Sequence, residues 1–109
     1  MNEAQLQDKV VAVARHAGWC VMHTRPARTM SGGWATPLQG HKGFPDLVLV
    51  HPSRNLLVFA ELKSDKGRLE PEQRRWLDAL QDAHAIVYVW YPKDWPAIVE
   101  LLAPGAVIT

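Results

Sequence analysis

The residues whose types and spacing suit chemistry are Asp46, Glu61 and Lys63. Asp46 opens one apolar segment, residues 46–50, and Glu61 and Lys63 close the next, residues 56–63. In a strand, residues i and i+2 project to the same face. Glu61 and Lys63 therefore stand together while Leu62 turns away. A hairpin between the two segments brings Asp46 beside them, and a one-residue slip of register would send it to the other face. Two carboxylates this close repel unless a cation lies between them. Hard oxygen ligands suit magnesium or manganese, with the main-chain carbonyl of Leu62 as a third protein ligand. Such an ion polarises a phosphate and lowers the pKa of a bound water. Lys63 is then placed to orient or deprotonate that water, or to neutralise charge in the transition state. The combination points to hydrolysis of a phosphodiester.

The elements that must hold these groups are legible from periodicity. Residues 3–17 predict an amphipathic helix, with Leu6, Val10, Val13 and Ala17 on one face and Gly18 as its stop. Residues 19–25 predict a strand with Trp19, Val21 and His23 on one side. Residues 26–42 read as a loop containing Pro26, Ser31, Gly32, Gly33, Pro37 and Gly40. Residues 46–50 and 56–63 are strands joined by a turn. A second helix is expected over residues 71–83, starting at Pro71, with Trp76, Leu77, Leu80 and Ala83 as its apolar stripe. Residues 85–91 are apolar throughout and read as a strand buried on both faces. Asp94 is a candidate cap for a last helix ending near Leu102, and residues 105–109 form a tail. The order α-β-β-β-α-β-α makes an α/β layer with a small mixed sheet flanked by helices.

The chain has 109 residues, which fits one domain spanning 1–109 and leaves no room for two cores. A hydrophobic content of 48% with 21% charged residues excludes wholesale disorder. One cysteine, Cys20, excludes an intramolecular disulfide framework and a multi-cysteine zinc site. Apolar runs are too short to span a bilayer, and the first residues lack the pattern of a secretory leader. The expectation is a soluble protein of a reducing, cytoplasmic compartment. Net charge is only +1, yet no acidic residue lies between Asp8 and Asp46. That window holds Lys9, Arg15, Arg25, Arg28 and Lys42 with three histidines, which is either a basic surface for a polyanion or a solvated loop.

Gly43-Phe44-Pro45-Asp46-Leu47-Val48 followed by Phe59-Ala60-Glu61-Leu62-Lys63 resembles the PD-(D/E)xK nuclease signature. Gly67 to Leu77 resembles the G-x-L-[ST]-P-x-Q-x-x-W-L segment of the VRR-NUC nucleases, and residues 87–92 resemble that family's closing strand. Glu3 and residues 18–23 match its opening. The resemblance runs from Glu3 to Leu102 and implies a restriction-endonuclease-like fold and magnesium- or manganese-dependent DNA cleavage, often at branched structures. It implies metal binding by Asp46, Glu61 and the Leu62 carbonyl, catalysis by Lys63, support from Gln73, and a helix-borne carboxylate, Glu3, near the metal. Stand-alone relatives imply a phage or mobile-element enzyme of a bacterial host, nucleoid-associated, acting as a homodimer on four-way, Holliday-junction-like DNA. Glu70 departs from the pattern, standing where the family usually has Ser or Thr. It caps less well, so that helix start is expected to fray, although its charge complements the helix dipole.

The remaining side chains carry competing readings. Gln73 shares a helix face with Leu77 and Leu80, so it needs a polar partner in the site or the core. Glu3 is either a metal-site carboxylate or ordinary first-turn dipole complementation. Arg25, Arg28, His41 and Lys42 are candidate phosphate contacts. Trp34 either stacks on an unpaired base or anchors an interface. Trp19, Trp76, Trp90 and Trp95 read as packing, His23 as a strand residue with a local hydrogen bond, and Cys20 as an inert buried thiol. Two rivals to a branched-DNA endonuclease keep the fold: a flap, single-strand-end or non-specific DNase, and a branched-DNA-binding module without turnover.

Overall fold

A computed structural model describes residues 1–23 and 39–106, together with the backbone of 27–28 and 34–35. Helix α1 (Glu3–His16) starts at a capping box: Gln5 N–H donates to Asn2 Oδ1 and Asn2 N–H donates to Gln5 Oε1, each at 2.8 Å. Its buried stripe is Leu6, Val10 and Ala14. Val13 and Ala17, expected on that stripe, only flank the core. The i, i+4, i+8 row, rather than the i+7 and i+11 positions, follows the line of contact. Gly18 takes a φ of +92°, which favours glycine, and turns the chain into the sheet.

Strand β1 (Cys20–His23) falls within the expected segment 19–25, of which residues 24 and 25 lie outside the described residues. Trp19 precedes it, and its indole lies in the core, donating to the Leu102 carbonyl at 2.9 Å. Within the segment read as loop, β2 (Ala27–Arg28) and β3 (Trp34–Ala35) pair antiparallel. Strands of two residues are too short to show an alternation in sequence. Strands β4 (Leu47–His51) and β5 (Leu56–Leu62) form the expected antiparallel hairpin, with Leu47 opposite Ala60. Asn55, in left-handed backbone at φ 55°, closes its turn. Helix α2 (Pro71–Asp82) is the crossover to β6 (Ile86–Trp90), which runs parallel to β5. The sheet order is β1-β4-β5-β6. Helix α3 (Trp95–Leu102) ends the described fold, and residues 107–109 of the expected tail lie outside the described residues.

One core joins these parts. Leu47, Leu49, Val58, Ala60 and Leu62 of the sheet meet Leu6, Val10 and Ala14 of α1, Trp19, and Ile98 and Leu102 of α3. Four expectations need correction. The α2 stripe buries Leu77 alone, with Trp76 and Leu80 half-buried and Ala83 exposed. Strand β6 alternates instead of burying both faces: Ile86 and Tyr88 are exposed while Val87 and Val89 are half-buried, so one of its faces is left partly uncovered, and among the described residues it has a strand neighbour on one side only. The Asp94 carboxylate does not cap α3; it accepts the Tyr91 N–H at 2.9 Å and closes the 3-10 turn Pro92–Asp94. Cys20 is exposed, because it shares with Met22 the solvent-facing side of β1. Among the described residues no helix is long and apolar enough to cross a membrane.

Candidate active site

The hairpin register continues one step past Leu47–Ala60 and sets Asp46 beside Glu61. Asp46 Oδ2 accepts the Leu62 N–H at 2.8 Å, which fixes its carboxylate against the end of β5. Glu61 shares a hydrogen bond with Asp46. It is 2% exposed, and Lys63 is 8% exposed. The main-chain N–H of Lys63 donates to the Trp90 carbonyl at 2.9 Å, extending the β5–β6 ladder to the site. The Lys63 side chain is thus rooted in the sheet rather than in a loop.

Gln73 ties the cluster together. Its Oε1 accepts both Lys63 Nζ and the Glu70 N–H, each at 2.8 Å, and its Nε2 donates to Glu61 Oε2 at 3.0 Å. Lys63 Nζ lies 3.5 Å from the same Glu61 oxygen. The polar partners that Gln73 needs on this helix face are thus Lys63, Glu61 and the Glu70 N–H. Gln73 Oε1 accepts the Glu70 N–H as in the capping box, and α2 starts at Pro71 directly after Glu70.

Burial, the neighbouring Asp46 charge and the hydrogen bond to Asp46 push the Glu61 carboxyl up to about 8, against the opposing pull of Lys63. Glu3 on α1 is raised too, by burial and then by Asp46, so it stands within the field of the cluster. Among the described residues, no three acidic, histidine or cysteine side chains converge as a ready metal cage. The donor set is hard: two carboxylates and, at the same strand end, the Leu62 carbonyl. It fits magnesium or manganese, which keep several waters of their own.

Of the residues read as phosphate contacts, Lys42 is 76% exposed at its side chain and pairs with Glu72 at 3.6 Å. The His41 carbonyl accepts the Trp76 indole N–H at 3.1 Å. Arg25 and the side chains of Arg28 and Trp34 lie outside the described residues. Among the described residues, the local hydrogen bond expected of His23 is not formed at its buried Nδ1.

An aromatic chain went unread in the sequence. Phe44 packs edge-on against Phe59 (5.9 Å between centroids) and against Trp76 (5.0 Å). It pins the segment before Asp46 to both the sheet and α2. Gly43, at φ +99°, lies so close to α2 that a Cβ there would stand 2.6 Å from the Glu72 carbonyl. The signal available was Gly43-Phe44 directly before Pro45-Asp46, with Trp76 one turn after Gln73.

A carboxylate pair and a rooted lysine at the end of a β-hairpin, braced by a glutamine from the crossover helix, define a nuclease-type site on an α/β fold. The chain belongs to the VRR-NUC domain family, whose pattern it matches over residues 3–94. It is also 40% identical over 47 residues to the Fanconi-associated nuclease 1 homolog of Schizosaccharomyces pombe (strain 972 / ATCC 24843). That stretch is 43% of this chain and spans only 7% of the relative's length.

Proposed function

We propose that this chain is a divalent-metal-dependent DNA endonuclease that favours branched, four-way-junction-like DNA and acts as a homodimer. The observation that carries the catalytic reading is the closed set of contacts among Asp46, Glu61, Lys63 and Gln73. Asp46, Glu61 and the Leu62 carbonyl would hold magnesium or manganese, which when bound supplies charge neutralisation at the phosphate and a more acidic water. Glu3 stands where it adds negative charge to the same end of the sheet. Lys63, held by Gln73, presents a fixed ammonium to the charge that develops on the phosphate oxygens. Gln73 keeps Glu61 and Lys63 in one geometry while the substrate binds. Water attacks the phosphorus in line, the P–O bond to the leaving sugar breaks, and no covalent enzyme intermediate forms. The branched-DNA preference draws its support from the family resemblance. The dimer draws its support from symmetry, since paired cuts call for two sites about a twofold axis.

The test is cleavage of an end-labelled four-way junction beside a linear duplex of the same sequence, with magnesium, manganese or EDTA, for wild type and Glu61→Ala. Paired nicks on the junction alone, lost with EDTA or the variant, are expected. Equal cutting of both DNAs removes the junction preference. Junction binding without cutting in either metal overturns the enzymatic reading in favour of a binding module.

A further inference from the structure

Beside the catalytic cluster, a cavity of about 200 Å³ opens between helix α2 and the segment before Phe44, lined by His41, Arg75, Trp76 and Ala79. We infer that it is a pocket for one unpaired nucleobase of the substrate, next to the point of cleavage; this rests on the nuclease reading above. Its walls are mostly apolar. An apolar cavity of about 150 Å³ is enough to hold benzene, so this one has room for a single base.

The indole that forms its wall is held in place. Trp76 donates Nε1–H to the His41 carbonyl at 3.1 Å, and Phe44 packs edge-on against it. A ring fixed in this way is a ready stacking platform for the π-face of a base. The charged and titratable groups at the rim favour a nucleotide over an apolar peptide side chain. Arg75 and His41 line the cavity, and Lys42 follows His41, its charge shared with Glu72 at 3.6 Å. Arginine both stacks on bases and pairs with phosphate.

Position links the pocket to the reaction. Trp76 follows Gln73 by three residues, about 4.5 Å along the helix at 1.5 Å per residue, and Gln73 contacts both Glu61 and Lys63. A base seated on Trp76 is therefore held by the same helix that braces the carboxylates and the lysine. Fully paired duplex hides its base faces in the stack, so the base that can fill the pocket is one that is unpaired, or that opens from its pair, at a branch point. The pocket thus selects branched or gapped substrates by what they expose, without reading sequence.

The test compares two three-way junctions, one with two unpaired thymidines at the branch and one with the same two residues abasic. Binding is followed by anisotropy in EDTA, and cleavage of both is measured separately with magnesium and with manganese. Wild type is expected to bind the abasic junction about 5- to 150-fold more weakly, the range for losing one base–aromatic stack. Ala79→Glu, at an exposed helix position, fills the pocket with a charge and is expected to bind both junctions equally. Trp76→Leu is expected to do the same, its fold verified by thermal melting. Equal binding of the two junctions by wild type overturns the proposal. So does a preference that survives Ala79→Glu. A base preference without cleavage in either metal leaves the pocket standing and overturns the nuclease reading instead.

Discussion

Strand β5 buries two kinds of residue equally deeply. Ala60 and Leu62 are fully buried on the side of the core, and Glu61 between them is 2% exposed on the other. The apolar side gains from burial, at about 25 cal/mol for each Å² removed from water. The charged side is penalised by it: burial is the largest cause of the raised Glu61 carboxyl. Hydrogen bonds from Gln73 and the nearby Lys63 offset that penalty in part. Buried ion networks are weak evidence for stability. One face of the strand therefore holds the fold together, and the other carries the carboxylate to which the proposed function assigns the chemistry. Substitutions on the two faces should separate stability from activity.

The largest expected effect is on the charged face. Glu61→Gln keeps the shape and the hydrogen-bond acceptor but removes the charge. Metal-assisted charge stabilisation is worth several kcal/mol, so cleavage should fall by about 10³-fold or more at 1.36 kcal/mol per decade. The metal-free fold should move the other way. Because the folded-state carboxyl sits near 8, above its ordinary value of 4.5, the stability it contributes is fully present below about 4.5 and is lost as pH rises through 8. Melting temperatures of wild type in EDTA should thus fall across that window. Glu61→Gln should flatten the profile and be the more stable protein at pH 8. Magnesium or manganese should raise the wild-type melting temperature more at pH 8 than at pH 5, since the ion competes with a proton. A wild-type profile flat from pH 5 to 8 would show that Glu61 is not the buried acid described.

On the apolar face, Leu49→Ala should leave a cavity in the middle of β4, where Leu49 is fully buried against Val58 and the helices. The expected cost is about 2–5 kcal/mol, read from urea titration with an unchanged slope. The cleavage rate per folded molecule should stay near wild type, because Leu49 belongs to the apolar core on the other side of the sheet from Glu61. A rate loss as large as that of Glu61→Gln would erase the distinction between the faces.

What could be read in advance follows the same division. Asp46, Glu61 and Lys63 were legible because a hairpin with a short turn converts spacing directly into register. Gln73 was legible because a polar residue on an apolar helix face needs a partner. The β2–β3 pairing was not, since two-residue strands carry no period. The exposure of Cys20 and Tyr88 was missed for a different reason. An apolar strand reads the same whether or not something covers it, and cover is a property of the whole fold. The Trp76 indole was read as packing, and only the structure shows that its Nε1–H is spent on the His41 carbonyl while one side of the ring borders a cavity.

Gln73 lies where the two purposes meet, so its substitution gives the smallest and most informative effects. It caps α2 through the Glu70 N–H and holds both Lys63 and Glu61. Gln73→Ala should cost about 1 kcal/mol for the lost cap and lower cleavage about 10- to 100-fold, the usual toll for residues that orient metal ligands. Gln73→Glu keeps an oxygen for Lys63 and for the cap but cannot donate to Glu61, and it adds a third negative charge beside Asp46 and Glu61. Stability from the cap should return while cleavage stays low. The metal-free pH profile should steepen, because a further carboxylate pushes the Glu61 carboxyl higher still. Recovery of cleavage in Gln73→Glu would show that the Lys63 contact alone matters, and that the hydrogen bond to Glu61 is structural.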